Sequence, residues 1–254
     1  MVVDETGAAV EPHTCIFPIL KEEPGAARSR LVGTGCFIST VGHFVTAKHV
    51  VFDVWDPEKQ RQRAFLHALH FVEPEKYLVR HITRVSFHNT ADVAVGKMDY
   101  HVVNRTGKPL RNRVPRFTLE VPRYESEVVT FAYPESDAHF WPGSRSRFVA
   151  KFYSGRLLEH SEQARDQVLV SWPHYVTSID LLGGASGGPA FDEQGRVFGI
   201  NCVGGLQGLS YLGRVAELLP LGVPEWPPWP RPDPDPTVLD LAVGGKIVFD
   251  PPLR

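Results

Sequence analysis

Cysteine is scarce in this chain: three residues among 254, at Cys15, Cys36 and Cys202. The count is odd, the spacings are wide and no C-x-x-C pair or histidine stands at ligand spacing. That pattern argues against a disulfide framework and a zinc site and leaves three buried thiols as the expectation, with no metal and no cofactor implied. An excess of charge of either sign is also missing, since 27 Lys and Arg face 29 Asp and Glu for a formal net charge of -2 and a pI near 6.6. Without a one-signed field to recruit a polyanion or an anionic lipid surface, neither a nucleic-acid nor a membrane partner is expected. No apolar run approaches the roughly 20 residues that span a bilayer. Met1 to Glu11 carries acids where a secretory leader has a basic and then an apolar segment, so the chain as given reads as cytoplasmic. What the chain does have is 43% hydrophobic residues, enough to bury a full core in one large domain or two small ones.

The apolar residues fall in short runs separated by turn formers. Residues 1–13 form a lead-in, and Cys15 to Leu20 reads as a first strand closed by Pro24-Gly25. Leu31 to Ser39, a turn at Thr40-Val41-Gly42 and His43 to Ala47 give a hairpin. Ala64 to Phe71, Tyr77 to Val85 and Ala91 to Met98 continue an antiparallel rhythm, without the βαβ alternation of a parallel sheet. Asn104 to Arg116, rich in turn formers and cations, suits a crossover between two units. Strands resume at Phe117 to Leu119, Glu127 to Ala132, Arg147 to Tyr153, Gln167 to Ser171, Pro189 to Phe191, Arg196 to Val203 and Leu209 to Leu212, followed by a helical turn at Val215 to Leu219. The fold class is therefore all-β in both halves, with no sequence repeat between them. Residues 221–254 form a Pro/Trp-rich tail whose 224–236 stretch defaults to polyproline II.

One stretch stands out chemically: Leu182-Gly183-Gly184-Ala185-Ser186-Gly187-Gly188-Pro189. Glycines on both sides of a serine describe a backbone bent sharply enough to present one hydroxyl without side-chain cover. A serine is inert at its free pKa and needs a base within hydrogen-bond reach and donors for the oxyanion it creates. The same bend supplies candidate donors in the Gly184 and Ser186 N–H groups. Among the 11 histidines, His49 follows a strand-like run and sits among small residues, with Ala47 before it and Val50 after. Asp92, at the start of a strand of small apolar residues, is a carboxylate that burial obliges to find a donor such as an imidazole N–H. Read singly, each has a bland alternative: a glycine-rich hairpin, a satisfied surface histidine and a turn acid.

Together, His49 in Phe44-Val45-Thr46-Ala47-Lys48-His49, Asp92 in Asp92-Val93-Ala94-Val95 and Ser186 in Gly184-Ala185-Ser186-Gly187-Gly188-Pro189 resemble the His, Asp, Ser order of the chymotrypsin/trypsin-like serine peptidases. Gly195 to Asn201 and Leu209-Ser210-Tyr211 resemble the bacterial, HtrA-like branch of that family. The resemblance covers about residues 14–220. It implies two six-stranded antiparallel β-barrels, 14–105 carrying His49 and Asp92 and 106–220 carrying Ser186, with the tail as a C-terminal extension. It also implies peptide hydrolysis through the Ser-His-Asp triad, with His49, Asp92 and Ser186 catalytic and Gly184 and Ser186 forming the oxyanion hole. Two positions depart from the secreted members. Ala185 stands where those have an aspartate that pairs with a new N-terminus, and Val50 stands where they have a disulfide-forming cysteine. Control is accordingly expected from a partner protein or an ordering loop that sets the Gly183-Gly184 peptide.

The resemblance leaves specificity open. It places the S1 pocket along Asp180, Leu181, Val203 and Gly204. A count without gaps puts Asp180 at the pocket base, for cleavage after Arg or Lys; with Asp180 turned to solvent, Leu181 and Leu182 line an apolar pocket instead. The 224–236 tail either recruits a protein partner or wraps the second barrel with Trp226 and Trp229 buried. Ile247 to Phe249 reads as a last strand. The rival to the enzyme is a catalytically silent two-barrel module binding an extended peptide as an added strand, with an esterase as a lesser alternative.

Overall fold

The computed structural model describes residues 2–25, 29–52, 54–56, 61–73, 76–99, 101, 110–134, 137–138, 147–165, 169–206, 208–226 and 234–254. Twelve strands build two barrels. The first uses β1 (Ile16–Glu22), β2 (Ser29–Phe37), β3 (His43–Thr46), β4 (Phe65–Glu73), β5 (Lys76–Phe87) and β6 (Ala94–Met98). They join in the order β1-β2-β3-β6-β5-β4, and the β1–β4 pairing closes the ring. The second uses β7 (Glu127–Ala132), β8 (Lys151–Ser161), β9 (His174–Thr177), β10 (Pro189–Phe191), β11 (Val197–Leu206) and β12 (Leu209–Arg214). Its order is β7-β8-β9-β12-β11-β10, closed through β7 and β10, and every ladder in both barrels is antiparallel. The two orders are the same, so the fold repeats where the sequence does not. Closure leaves neither barrel an unpaired edge.

Each core follows from the alternation of side chains along its strands. In the first barrel the Phe17, Phe37 and Phe44 rings meet at 4.7 and 5.5 Å, and burying each contributes roughly 1.5–3 kcal/mol. Strand glycines make the room: a Cβ at Gly35 would stand 2.5 Å from the Phe17 ring, and one at Gly96 would stand 2.3 Å from that of Phe44. The second barrel packs Val128, Tyr153, Leu157, Tyr175, Phe198 and Leu212. A further apolar cluster runs across the seam and joins residues of both barrels to Leu221, Val238 and Phe249 of the tail. All three cysteines are buried free thiols.

Several boundaries differ from the sequence reading for identifiable reasons. The strand expected from Ala91 begins at Ala94, because the Asp92 carbonyl accepts from the Lys48 N–H instead of joining the ladder. No strand forms at 169–171; β9 starts only after Trp172-Pro173, where proline has no N–H to offer. The expected strand at Arg147 starts at Lys151, in register with Ala132 at the end of β7, and continues to Ser161. Phe117 makes isolated bridges to Val197 and Phe249 in place of a strand, and Ile247 to Phe249 contributes only that bridge.

The tail is more ordered than its composition suggests. Helix α2 (Val238–Val243) starts at a reciprocal capping box between Thr237 and Asp240. The preceding excursion is pinched at its base by Val223 N–H donating to the Pro236 carbonyl at 2.8 Å and Glu225 N–H donating to Asp235 Oδ1 at 3.2 Å. Trp226 stacks on His43 of the first barrel with centroids 5.0 Å apart. Trp229 lies outside the described residues. Among the described residues no helix is long and apolar enough to cross a membrane.

Candidate active site

His49 rides on a short helix, α1 (Lys48–Phe52), that leaves the end of β3. Val50 and Val51 bury one side of that helix and leave the His49 side chain 49% exposed. Asp92 lies in the loop between β5 and β6, and its side chain is only 12% exposed. Both carboxylate oxygens serve His49: Oδ1 accepts from the main-chain N–H at 2.9 Å and Oδ2 lies 2.7 Å from Nδ1. Two bonds to one residue fix both the loop and the ring. With Nδ1 donating to the carboxylate, Nε2 is left as the basic nitrogen.

Ser186 comes from the other barrel. Ala185 N–H bonds to the Leu182 carbonyl and Gly188 N–H to the Ala185 carbonyl, both at 3.1 Å, so the chain makes two tight turns in succession. Each turn has a glycine with positive φ at its third position, Gly184 at +89° and Gly187 at +85°, the arrangement of a type II turn. Ser186 occupies the second position of the second turn, at the outer corner. Its Oγ donates to the Cys202 carbonyl at 3.5 Å, a long contact, and no bond joins it to His49. Of the amides in this stretch, those of Ala185, Gly187 and Gly188 are bonded, whereas among the described residues the Gly184 and Ser186 N–H groups have no acceptor. Unpaired donors at a bend are what an oxyanion requires.

The turn is held from both sides. Thr34 of β2 donates its N–H to the Ser186 carbonyl at 2.8 Å and its hydroxyl to the Gly184 carbonyl at 2.9 Å. Asn201 of β11 exchanges main-chain bonds with Gly187 and Gly188, and its Nδ2 donates to the Ala185 carbonyl at 3.2 Å. The approach is so close that a Cβ at Gly187 would lie 2.1 Å from the Thr34 carbonyl and from Thr46 Oγ1. Sequence reasoning missed Thr34 and Asn201, although each carried a signal. Glycines on both sides of Thr34 within a strand mark close backbone approach, and an asparagine inside an apolar strand must find partners.

A cleft of about 400 Å³ opens beside the pair, walled by His49, Asp92, Phe52, Leu169, Trp172 and Val203. Of the four positions assigned to specificity, Val203 lines this cleft. Leu181 is buried in the second-barrel core with its Cβ 2.6 Å from where a Gly204 Cβ would sit, and Asp180 is exposed. Cys202 lies under the site and donates its thiol to the Asp92 carbonyl at 3.1 Å. Burial, and then the Asp92 charge, holds that thiol well above its ordinary pKa, so it stays protonated and is no rival nucleophile. Among the described residues no group of three or more His, Cys, Asp or Glu is placed to hold a metal.

A family model described as the trypsin-like peptidase domain matches residues 33–200. The chain belongs to the trypsin-like peptidase family. The match spans more than half of the chain and contains His49, Asp92 and Ser186. Solved structures similar to this trypsin-like peptidase include Deg5, with a TM-score of 0.58 and 15% identity over 80% of this chain and 85% of that one. The active form of the Rv3671c protease from M. tuberculosis is similar with a TM-score of 0.55 and 20% identity, covering 82% of this chain and 78% of that one. The HtrA-type protease AlgW with tripeptide gives 0.52 and 18% over 80% of this chain, which spans 57% of AlgW. At these identities the likeness is one of fold. A search of curated protein sequences gives no match.

Proposed function

We propose that this chain is a serine endopeptidase in which Ser186, His49 and Asp92 act as a triad. The observation that carries the reading is the 2.7 Å contact of His49 Nδ1 with Asp92, because it leaves Nε2 free to act as a base, while Cys202 touches both the Ser186 hydroxyl and the Asp92 carbonyl. In the first step the Ser186 hydroxyl turns from the Cys202 carbonyl, a rotation about one side-chain bond, and gives its proton to Nε2 as Oγ attacks the scissile carbonyl. The oxyanion is taken by the Gly184 and Ser186 amides, and Asp92 stabilises the imidazolium through Nδ1–H. His49 then protonates the leaving amine, and water releases the acyl group by the same route in reverse.

The substrate in this reading is an extended peptide pairing along 203–205, with an apolar side chain seated in the cleft of Phe52, Leu169 and Trp172. The exposure of Asp180 counts against the basic alternative, and because Leu181 packs in the second-barrel core the apolar lining falls to the cleft residues instead. Control acts on the Gly183-Gly184 peptide, through a partner or an ordering loop: a Cβ at Gly183 would meet nothing within 4 Å, so the peptide is open on that side, whereas Gly184 is packed against Leu31 and the Tyr133 carbonyl. The second reading, a silent peptide-binding module, draws on the Ser186 hydroxyl facing the Cys202 carbonyl.

A fluorophosphonate probe separates the two. The wild type is expected to label and Ser186→Ala to stay blank; a wild type that stays blank, alone and with candidate partners, removes the peptidase reading. In peptide-library profiling, Asp180→Ala is expected to leave the P1 preference unchanged, and a lost preference for Arg and Lys would restore the basic alternative.

A further inference from the structure

The loop that carries Asp92 is held by contacts outside the barrel ladder. It spans His88 to Asp92 between β5 and β6 and is closed at its base by His88 N–H donating to the Val93 carbonyl at 3.1 Å. Inside the loop the His88 ring does the work of a turn side chain. Its Nδ1 accepts from Ala91 N–H at 2.8 Å and from Thr90 N–H at 3.2 Å. Two amide donors can be accepted only by an unprotonated Nδ1, so the ring proton sits on Nε2, which faces Glu217 Oε2 at 3.9 Å. Glu217 is in turn bound by Arg214 at 2.7 Å.

The second hold comes from α1. Lys48 donates its ammonium to the His88 carbonyl at 2.9 Å, with the Asn89 carbonyl at 3.5 Å, and its main-chain N–H to the Asp92 carbonyl at 3.2 Å. One residue therefore grips both ends of the loop, and its neighbour, His49, takes the carboxylate. The register between His49 and Asp92 is set by this double grip, since any slide of the loop along α1 breaks the Lys48 contacts and the His49 contacts together.

Resting on the triad reading above, we propose that Lys48 and His88 are positioning residues for the His49–Asp92 pair. Lys48 fixes the loop against α1, and His88 fixes its inner turn by accepting two amides. Neither touches the reacting atoms. Their effect is on how often the carboxylate stands within hydrogen-bond reach of Nδ1, and misplacements of about 1 Å in such geometry cost up to roughly a hundredfold in rate.

Four variants test this in the full chain: Lys48→Met keeps the stem and removes the ammonium, and Lys48→Arg keeps a charge in the wrong shape. His88→Leu removes the acceptor, and His88→Asn restores one, because an asparagine oxygen accepts from the amides two and three residues on. Two readouts are taken on variants whose thermal unfolding remains cooperative. They are the rate of fluorophosphonate labelling at Ser186 and the low-field proton NMR signal of His49 Nδ1–H. Lys48→Met and His88→Leu are expected to label roughly 10- to 100-fold more slowly with the Nδ1–H signal broadened or shifted, Lys48→Arg to fall between Lys48→Met and wild type, and His88→Asn to return most of both. Wild-type rates and signals in Lys48→Met and His88→Leu overturn the proposal, as does His88→Asn behaving like His88→Leu. A wild type that fails to label sinks the triad reading instead, and the Nδ1–H signal still decides whether Lys48 and His88 hold the pair.

Discussion

The two barrels share one strand order but bury different chemistry. Around the hairpin at 39–42, the first barrel buries Arg80, Lys97, His43, His70 and Asn112. Arg80 donates to Asn112 Oδ1 at 2.8 Å and to the Asp99 carbonyl at 2.7 Å, and Lys97 donates to the Val41 carbonyl at 2.6 Å. The second barrel buries mostly small neutral groups such as Thr130, which accepts from Asn201 Nδ2 at 2.7 Å, together with His174 and Arg196. The polar groups of the first barrel draw on partners beyond its strands: Asn112 from the crossover, and the Pro224 carbonyl from the tail, 2.8 Å from His43 Nε2. Those of the second are met mostly by its own strands and turns, with Arg196 also donating to the Asp250 carbonyl of the tail at 3.0 Å. Topology thus tolerates either interior, and the first barrel is the one that keeps the larger set of titratable groups from water. The division matches the parts each contributes, a titratable pair from the first and a tightly bent backbone from the second.

The largest effect is expected at the bent backbone. Gly187→Ala would bring a Cβ to 2.1 Å from two atoms of the first barrel at a φ of +85°, so it should abolish Ser186 labelling and cost roughly 3 kcal/mol or more in urea unfolding. Wild-type stability in that variant would show that the seam is not closed by backbone contact. Next comes acid. Burial holds His43 and His70 down to about 3, with Lys97 facing the first and Arg80 the second. Because the unfolded state binds their protons near pH 6.5 and the folded state only near 3, stability is fully present above about 6.5 and drains as pH falls through that window. The loss is on the order of several kcal/mol for the two together. Hydrogen exchange, corrected for intrinsic rates, should show peptides from 16–98 losing protection before those from 127–214, and His43→Gln with His70→Gln should flatten the trend. Loss in the reverse order would break the contrast between the barrels.

The legible parts were those where one residue type has one reason to occur. Glycines around Ser186 signalled the bend, and β7 and β10 were found to the residue because their apolar runs end at turn formers. The His, Asp, Ser order carried the family. What could not be read was pairing between distant segments. Nothing in Gly33-Thr34-Gly35 names Ser186 as its partner 152 positions away in the chain, yet Thr34 N–H meets the Ser186 carbonyl at 2.8 Å. Likewise the proline density of the tail concealed α2, whose start is written in Thr237 and Asp240, and gave no hint that Trp226 crosses to His43.

Two smaller substitutions sharpen the contrast, one in each dependence. Thr34→Val keeps the volume and the N–H but removes the hydroxyl that bonds the Gly184 carbonyl at 2.9 Å. It is expected to cost about 1 kcal/mol in stability and to slow labelling by roughly tenfold, since the first barrel then holds the turn by one bond instead of two. Trp226→Ala removes the ring stacked on His43 while leaving the barrel strands and the Ser186 turn untouched. Stacked rings of this kind contribute about 0.5–1.5 kcal/mol beyond burial, so a modest drop in the urea midpoint is expected. Its location matters more than its size. Opening water to His43 relieves the burial that keeps the ring neutral, so the acid destabilisation of the first barrel should become shallower, while protection in 127–214 stays as it was. An unchanged acid profile in Trp226→Ala would mean that the buried histidines are governed by the barrel alone and that the tail is not part of what separates the two.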